Sequence, residues 1–242
     1  LVGSEMCIRD RYGLYNADKG TTEAVNYNNE GLYRRNLLTS GINIRYNGPH
    51  ISFNSQTSYQ YIQDKMGIDQ DFSPRNIFYG QNKIRQHMYC QEFTVKSVNK
   101  SRYHWITGAF VFRQTINRKV DLSRFTDTTR HLTNSGIPTQ GIAFYHQSTL
   151  DLLQGLSCSV GLRYDYEHAR CDFSKVQQPL NGNGETKSLE QFNRSLHFGQ
   201  FTPKFSMQYL SSHNQLFYAS VSKGYKAGGF NVSFLNNDDY LY

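Results

Sequence analysis

From Leu156 to Glu167 the chain alternates without a break. Leu156, Cys158, Val160, Leu162, Tyr164 and Tyr166 are apolar or aromatic, and Ser157, Ser159, Gly161, Arg163, Asp165 and Glu167 between them are small, polar or charged. A period of two places the two sets on opposite faces of one extended strand. The run exceeds the roughly five or six residues usual in soluble sheets and approaches the ~10 of a strand that crosses a bilayer. The pattern recurs at Ile42, Ile44 and Tyr46. After the turn at Asn47-Gly48-Pro49 it resumes with Ile51, Phe53, Tyr59 and Tyr61 set against Ser52, Asn54, Gln56, Ser58 and Gln60. That arrangement predicts a hairpin with long arms. Strands are predicted at 36–47, 50–62, 86–98, 102–114, 140–151, 156–167, 199–210 and 215–223, about eight in all.

The connections alternate between short and long. Short turns fall near 48–49, 99–101, 151–155 and 211–215. Long polar stretches fall at 63–85, 115–139 and 168–198, with another before residue 36 and another from Gly224. Turn formers punctuate the long stretches: Asp69-Gln-Asp-Phe-Ser-Pro74, Asn134-Ser-Gly-Ile-Pro138 and Asn181-Gly-Asn-Gly184. Outer-membrane barrels sort their connections in this way, with short turns on the periplasmic side and longer loops outside. A soluble sandwich has no reason to.

Composition agrees. Aromatic residues make up 14% of the chain, with 18 Tyr and 16 Phe, and tyrosine suits a membrane interface. No run approaches the roughly 18 apolar residues of a spanning helix, so a bilayer crossing would need closed strands. The mean hydropathy of −0.65 is compatible with that, because alternating strands average out to values like those of soluble proteins. Cysteines at 7, 90, 158 and 171 show neither disulfide density nor metal spacing. The net charge of +7 suits an anionic ligand, an anionic membrane surface or nucleic acid, and selects none of them. Residues 1–11 resemble a translated sequencing adapter and are set aside as non-native, taking Cys7 with them.

Near the C-terminal end, Phe201-Thr-Pro-Lys-Phe-Ser-Met-Gln-Tyr-Leu210, then Leu216-Phe-Tyr-Ala-Ser-Val-Ser222 and Gly224-Tyr-Lys-Ala-Gly-Gly-Phe-Asn231 resemble the barrel of TonB-dependent receptors, in the iron-complex branch. Gln91-Glu-Phe-Thr-Val95, Trp105-Ile-Thr-Gly-Ala-Phe110, Gly141-Ile-Ala-Phe-Tyr-His-Gln147 and Gly161-Leu-Arg-Tyr-Asp165 resemble the same barrel in the same order. Together these pieces cover most of 85–231. Gly224 to Asn231 is not a phosphate loop, since Phe230 stands where the lysine of GxxxxGK belongs.

Catalytic signatures are absent: there is no nucleophile elbow, HExxH or EF-hand pattern, and no enzyme or cofactor is expected. His168 and Cys171 could supply two metal ligands, but with no second pair nearby no metal site is expected. His87, His104, His131, His146, His197 and His213 are scattered. Basic residues interleave with aromatics from Lys83 to Tyr103, as on a single-strand nucleic-acid surface. The resemblance favours a barrel lumen instead, and no nucleic-acid partner.

The resemblance implies an all-β fold: an antiparallel transmembrane barrel in the outer membrane of a Gram-negative bacterium. The chain would supply about eight of the roughly 22 strands of a plugged transporter. Residues 12–242 would be a barrel fragment, lacking the plug and the last strands. Extracellular loops would capture a bulky ligand, the barrel would hold it above the plug, and the TonB complex would pull the plug using proton-motive force. A ferric siderophore is the leading ligand, with haem, cobalamin and oligosaccharide open. Arg75, Tyr79, Lys83, Arg118 and Arg130 are the candidate ligand contacts in the long stretches. Partners are then the TonB complex, the ligand and outer-membrane lipid. Two alternatives stand beside this reading: a small closed eight-stranded outer-membrane barrel acting as an adhesin or structural protein, and a soluble β-rich binding module.

Overall fold

Alternating side chains commit this sequence to extended backbone, and the computed structural model is built almost wholly from it. It describes residues 15–16, 21–22, 29, 31–71, 75–99, 101–182 and 184–231. The expectations about 1–11 and the loop-like Asn236 to Asp239 lie outside these residues. β1 (Tyr15–Asn16) and β2 (Thr21–Thr22) form a small antiparallel ribbon. The remaining strands are β3 (Leu32–Asn47), β4 (Ile51–Asp69), β5 (Phe78–Ser97), β6 (Tyr103–Arg124), β7 (Thr129–Leu153), β8 (Leu156–Pro179), β9 (Lys187–Leu210) and β10 (Leu216–Ser222). They make one 8-stranded antiparallel sheet in chain order, with β3 and β10 at opposite edges. Among the described residues no helix is long and apolar enough to cross a membrane, which has no bearing on crossing by strands.

The strand ends at the short turns fall within a few residues of the predicted ones. The other ends do not. The stretches expected to be long loops, 63–85, 115–139 and 168–198, are mostly strand, and only 70–77, 125–128 and 180–186 connect. β7 runs to 25 residues and β8 and β9 to 24 each. These arms do not continue the hydrophobic pattern because its phase inverts: on β8 the apolar positions are even from Leu156 to Tyr166 and odd at Ala169, Cys171 and Phe173. Period-two alternation marks a strand only where its two faces meet different media, whereas the backbone ladder continues without it.

Asn134 to Pro138, read from the sequence as turn formers, lies inside β7. The β7–β8 ladder lapses between Gly136–Asp172 and Thr139–Ala169, so the proline, which has no N–H, falls in a gap in the pairing. Asn181 to Gly184 does turn, with Gly182 at φ 75° and Gly184 at φ 137°. At the other end Gly155 (φ 80°) closes the β7–β8 hairpin. Its carbonyl accepts from Leu210 N at 2.7 Å, and a Cβ there would collide with the Leu210 carbonyl oxygen.

Directly opposed residues share a face, so register assigns the two faces. Tyr46, Phe53, Val95, Thr107, His146, Leu162 and Pro203 form one row, and Arg45, Asn54, Thr94, Gly108, Tyr145, Arg163 and Thr202 form the next, on the opposite face. The burial of the two faces is the reverse of that in a soluble protein. Phe144 is 56% and Tyr164 47% exposed on the apolar face, whereas Ala143 is 2% and Ser157 7% exposed on the polar face. Side chains crowd on the inside of a curved sheet and splay on the outside, so the apolar face is the outer one. From Leu156 to Tyr166 this belt spans about 34 Å of strand, or about 25 Å of height at a tilt near 45°, the height of the lipid-facing band of a membrane barrel. Aromatics border it: Tyr46, Tyr103, Trp105 and Tyr209 toward the short turns, and Tyr59, Tyr61, Tyr89 and Tyr166 toward the arms.

Candidate functional site

The inner face concentrates the polar chemistry. Tyr145 on β7 lies across β6 at Gly108 and reaches β5, where its hydroxyl donates to Glu92 Oε1 at 2.9 Å and receives Thr94 Oγ1 at 2.9 Å. A Cβ on Gly108 would collide with the Tyr145 ring and hydroxyl and with the Phe93 carbonyl oxygen, so only glycine leaves the crossing open. On the neighbouring strand β8, Arg163 grips Asp165 through Nε at 3.0 and 2.9 Å and through Nη2 at 2.7 Å. Its guanidinium stands 6.0 Å from the centroid of the Tyr145 ring. A fixed arrangement of donors and acceptors thus joins β5, β7 and β8 over one patch of the lumen wall.

Further toward the arms the inner face turns apolar. Phe173 stacks on Phe192 with centroids 4.9 Å apart and planes 13° apart. Phe230 lies over this patch, 8% exposed, in a cluster with Ala169, Cys171 and Phe173, flanked by Ile137, Phe192 and Leu196. Residues 224–231 therefore do not prolong β10. They cross the inner face toward the arms as a strap held by one phenylalanine.

The arms lie outside the lipid belt, and His131 and Asp127 are among their perturbed titratable groups. Burial, then the charges of Lys175 and Arg124, lowers the imidazole of His131 below its usual value. Its Nε2 is buried without a hydrogen-bond partner among the described residues. Asp127 in the β6–β7 turn is held below the usual carboxylate range, mainly by the hydroxyl of Thr129, which donates at 2.8 Å.

The five candidate ligand contacts are not brought together. Arg75 lies in the 70–77 connection. Tyr79 and Lys83 on β5 and Arg130 on β7 share the outer face by register, and Arg130 is tied to Asp121 by paired hydrogen bonds of 2.9 and 3.0 Å through Nε. Arg118 alone of the strand-borne four faces inward, where its Nε donates to Asn82 Oδ1 at 3.1 Å. His168 and Cys171 are also separated by the strand: His168 stacks on His197 outside at 4.4 Å, and Cys171 is fully buried inside. Sequence reasoning named neither Tyr145, Glu92 and Gly108 nor Phe230 as functional. The available signal was the set of motif pieces, which meet on the inner face: Gln91–Val95 supplies Glu92 and Thr94, Trp105–Phe110 supplies Gly108, Gly141–Gln147 supplies Tyr145, Gly161–Asp165 supplies Arg163 and Asp165, and Gly224–Asn231 supplies Phe230.

An open polar lumen wall behind an exposed apolar belt is barrel architecture, and residues 8–241 match the family described as TonB dependent receptor-like, beta-barrel. The chain belongs to this family. Its members are outer-membrane receptors that transport rather than catalyse. The fold is also similar to that of three solved receptors. The ferric yersiniabactin uptake receptor FyuA from Yersinia pestis matches with a TM-score of 0.71 at 14% identity, over 83% of this chain and 30% of that one. The ferric-catecholate import receptor Fiu from E. coli K12, in an open form, gives 0.63 at 11% identity, over 87% and 40%. The ferric citrate transporter FecA, unliganded, gives 0.56 at 13% identity, over 83% and 28%. The chain therefore spans less than half the length of these three proteins.

Proposed function

We propose that this chain is part of the barrel wall of an outer-membrane receptor, energised by the TonB complex, that imports a ferric siderophore. The observation that carries the reading is the inverted burial of β8, where Val160, Leu162, Tyr164 and Tyr166 are exposed and the polar residues between them are not. A lipid-facing exterior and a wet interior account for it, whereas a soluble binding module would bury those four side chains. A small barrel closed on itself would need β3 beside β10, and they stand at opposite edges.

The substrate follows from likeness and charge together. Three receptors of similar fold are named for ferric complexes. The net charge of +7 favours an anionic chelate. Arg118 and the Tyr145–Glu92 network, both on the inner face, are the ligand-path residues this reading selects. The test is uptake of radiolabelled iron by the complete receptor in cells lacking their own siderophore receptors, with and without a protonophore. Protonophore-sensitive uptake of one ferric siderophore is the expected result. Uptake of haem, cobalamin or an oligosaccharide instead would replace the substrate and keep the transporter, and protonophore-insensitive passage would remove the role of TonB.

A further inference from the structure

The strand parts His168 from Cys171, but register supplies His168 with another partner. It lies directly opposite His197 of β9. Both side chains stand on the outer face just past Tyr166, the last belt residue of β8, with His168 half-buried and His197 exposed. Cβ atoms of directly opposed residues are ~4.5–5.5 Å apart. The two imidazoles stack across that gap, centroids 4.4 Å and planes 12° apart.

Such a pair offers two nitrogen donors to one ion. Nitrogens that share a metal at about 2.0–2.1 Å stand roughly 3 Å from each other, so the rings have only to tilt together at one edge. Tyr166 can fix the tautomer this requires. Its hydroxyl oxygen is 3.0 Å from His197 Nδ1. With the proton on Nδ1 and donated to the phenol oxygen, the lone pair of Nε2 is left for a metal. Metal-bound histidines almost always donate their other N–H to an oxygen in this way.

The surrounding charges permit a cation. Arg170, two residues beyond His168 on the same face, is offset by Asp172, to which its Nη2 donates at 2.8 Å. Arg113 is two strands away across Gln140, about 10 Å by strand spacing. Gln140 and His168 both line a depression of ≈ 120 Å³, where water can complete a coordination shell. Among the described residues no three His, Cys, Asp or Glu side chains converge, so the pair acts as a two-nitrogen chelate.

We propose that His168 and His197 chelate a divalent transition-metal ion on the outer wall, with Tyr166 as the positioning residue for His197. Imidazole donors favour Cu(II), Ni(II) and Zn(II) over Mg(II) and Ca(II), and hold Cu(II) most tightly. The ion clips β8 to β9 beside the place where β8 loses its ladder to β7, between Thr139–Ala169 and Gly136–Asp172. It lies outside the lumen, so the inference is independent of which cargo the receptor imports.

The test is titration of the complete receptor, metal-free in detergent, with Cu(II), read by calorimetry and electron paramagnetic resonance. The expected result is an ion whose spectrum shows splitting from two nitrogens, and a Tm raised by saturating Cu(II). His168→Gln and His197→Gln should each remove the two-nitrogen signal and the rise in Tm, and Tyr166→Phe should weaken binding about tenfold. All three variants should keep the heat-resistant gel mobility of the folded barrel without metal, which separates loss of the site from loss of the fold. Unchanged Cu(II) binding in His168→Gln/His197→Gln, or a spectrum from a single nitrogen, would overturn the site. Displacement of Cu(II) by Mg(II) as readily as by Ni(II) would also overturn it, since the surface would then hold cations without imidazole selectivity. Equal affinity in Tyr166→Phe would overturn the role of Tyr166.

Discussion

The hydroxyl of Tyr145 reaches the carboxylate of Glu92 at 2.9 Å across an intervening strand, and Gly108 is where it passes. An alanine there displaces the ring. Tyr145→Phe should cost about 1.5–3 kcal/mol, the range for a hydrogen bond to a charged group, and Gly108→Ala, which also meets the Phe93 carbonyl oxygen, at least as much. Urea midpoints of the complete receptor refolded in detergent check this. Combining the two substitutions should cost little more than Gly108→Ala alone, whereas full additivity would mean that Gly108 does not serve the Tyr145 crossing.

Phe230 is the one buried side chain of the strap. Phe230→Ala should free residues 224–231, at up to about 3–5 kcal/mol of docking energy for a buried phenylalanine. The sheet itself should persist. Limited proteolysis would show new cleavage within 224–231 while the barrel retains its heat-resistant mobility on a gel. Loss of that mobility would mean instead that the strap supports the sheet.

Period two should be visible to a chemical probe. With the native cysteines replaced by serine, single cysteines at 160, 162, 164 and 166 should resist a water-soluble maleimide in membranes, while those at 161, 163, 165 and 167 react from the lumen. Uniform labelling along 160–167 would remove the lipid-facing exterior from the fold.

Burial keeps His131 neutral where an unfolded chain takes up a proton near pH 6.5. Because its folded pKa is depressed, the unfolded state binds more protons between the two values. The β6–β7 arms are therefore most stable above about pH 6.5 and lose stability as pH falls toward the depressed value, below which the loss levels off. Protection factors for amide exchange at 120–133, corrected for the intrinsic rate at each pH, should fall between pH 7.5 and 5.5, and His131→Gln should abolish the change. An unchanged pH response in the variant would assign the effect elsewhere.

What could be read in the sequence depended on the medium at each position. Between Leu156 and Glu167 lipid and water act on opposite faces, so side chains record the strand and its orientation. From Ala169 to Phe173 the phase inverts, with Ala169, Cys171 and Phe173 buried on the inner face and Arg170 and Asp172 exposed outside, so the pattern of 156–167 does not carry on and the segment reads as loop. Pro138 misled for a related reason: a proline normally ends a ladder, and only the pairing of β7 with β8 shows that the ladder already lapses there. Side-chain chemistry and the expected long loops point to Tyr79, Lys83 and Arg130, but a strand sends alternate residues outward whatever their chemistry. Tyr145 and Glu92 stood in the motif pieces all along. Their partnership needs three strands in register, which no local pattern encodes.

Each strand of the sheet pairs with its neighbour in the chain, so circumference here is counted in hairpins. Inserting or deleting one up-and-down pair changes the girth of the pore while every remaining ladder keeps its register, since diameter grows with strand number. The Tyr145 crossing spans adjoining strands and would move intact through such a change. A lineage could resize its gateway for larger or smaller cargo without redesigning the wall.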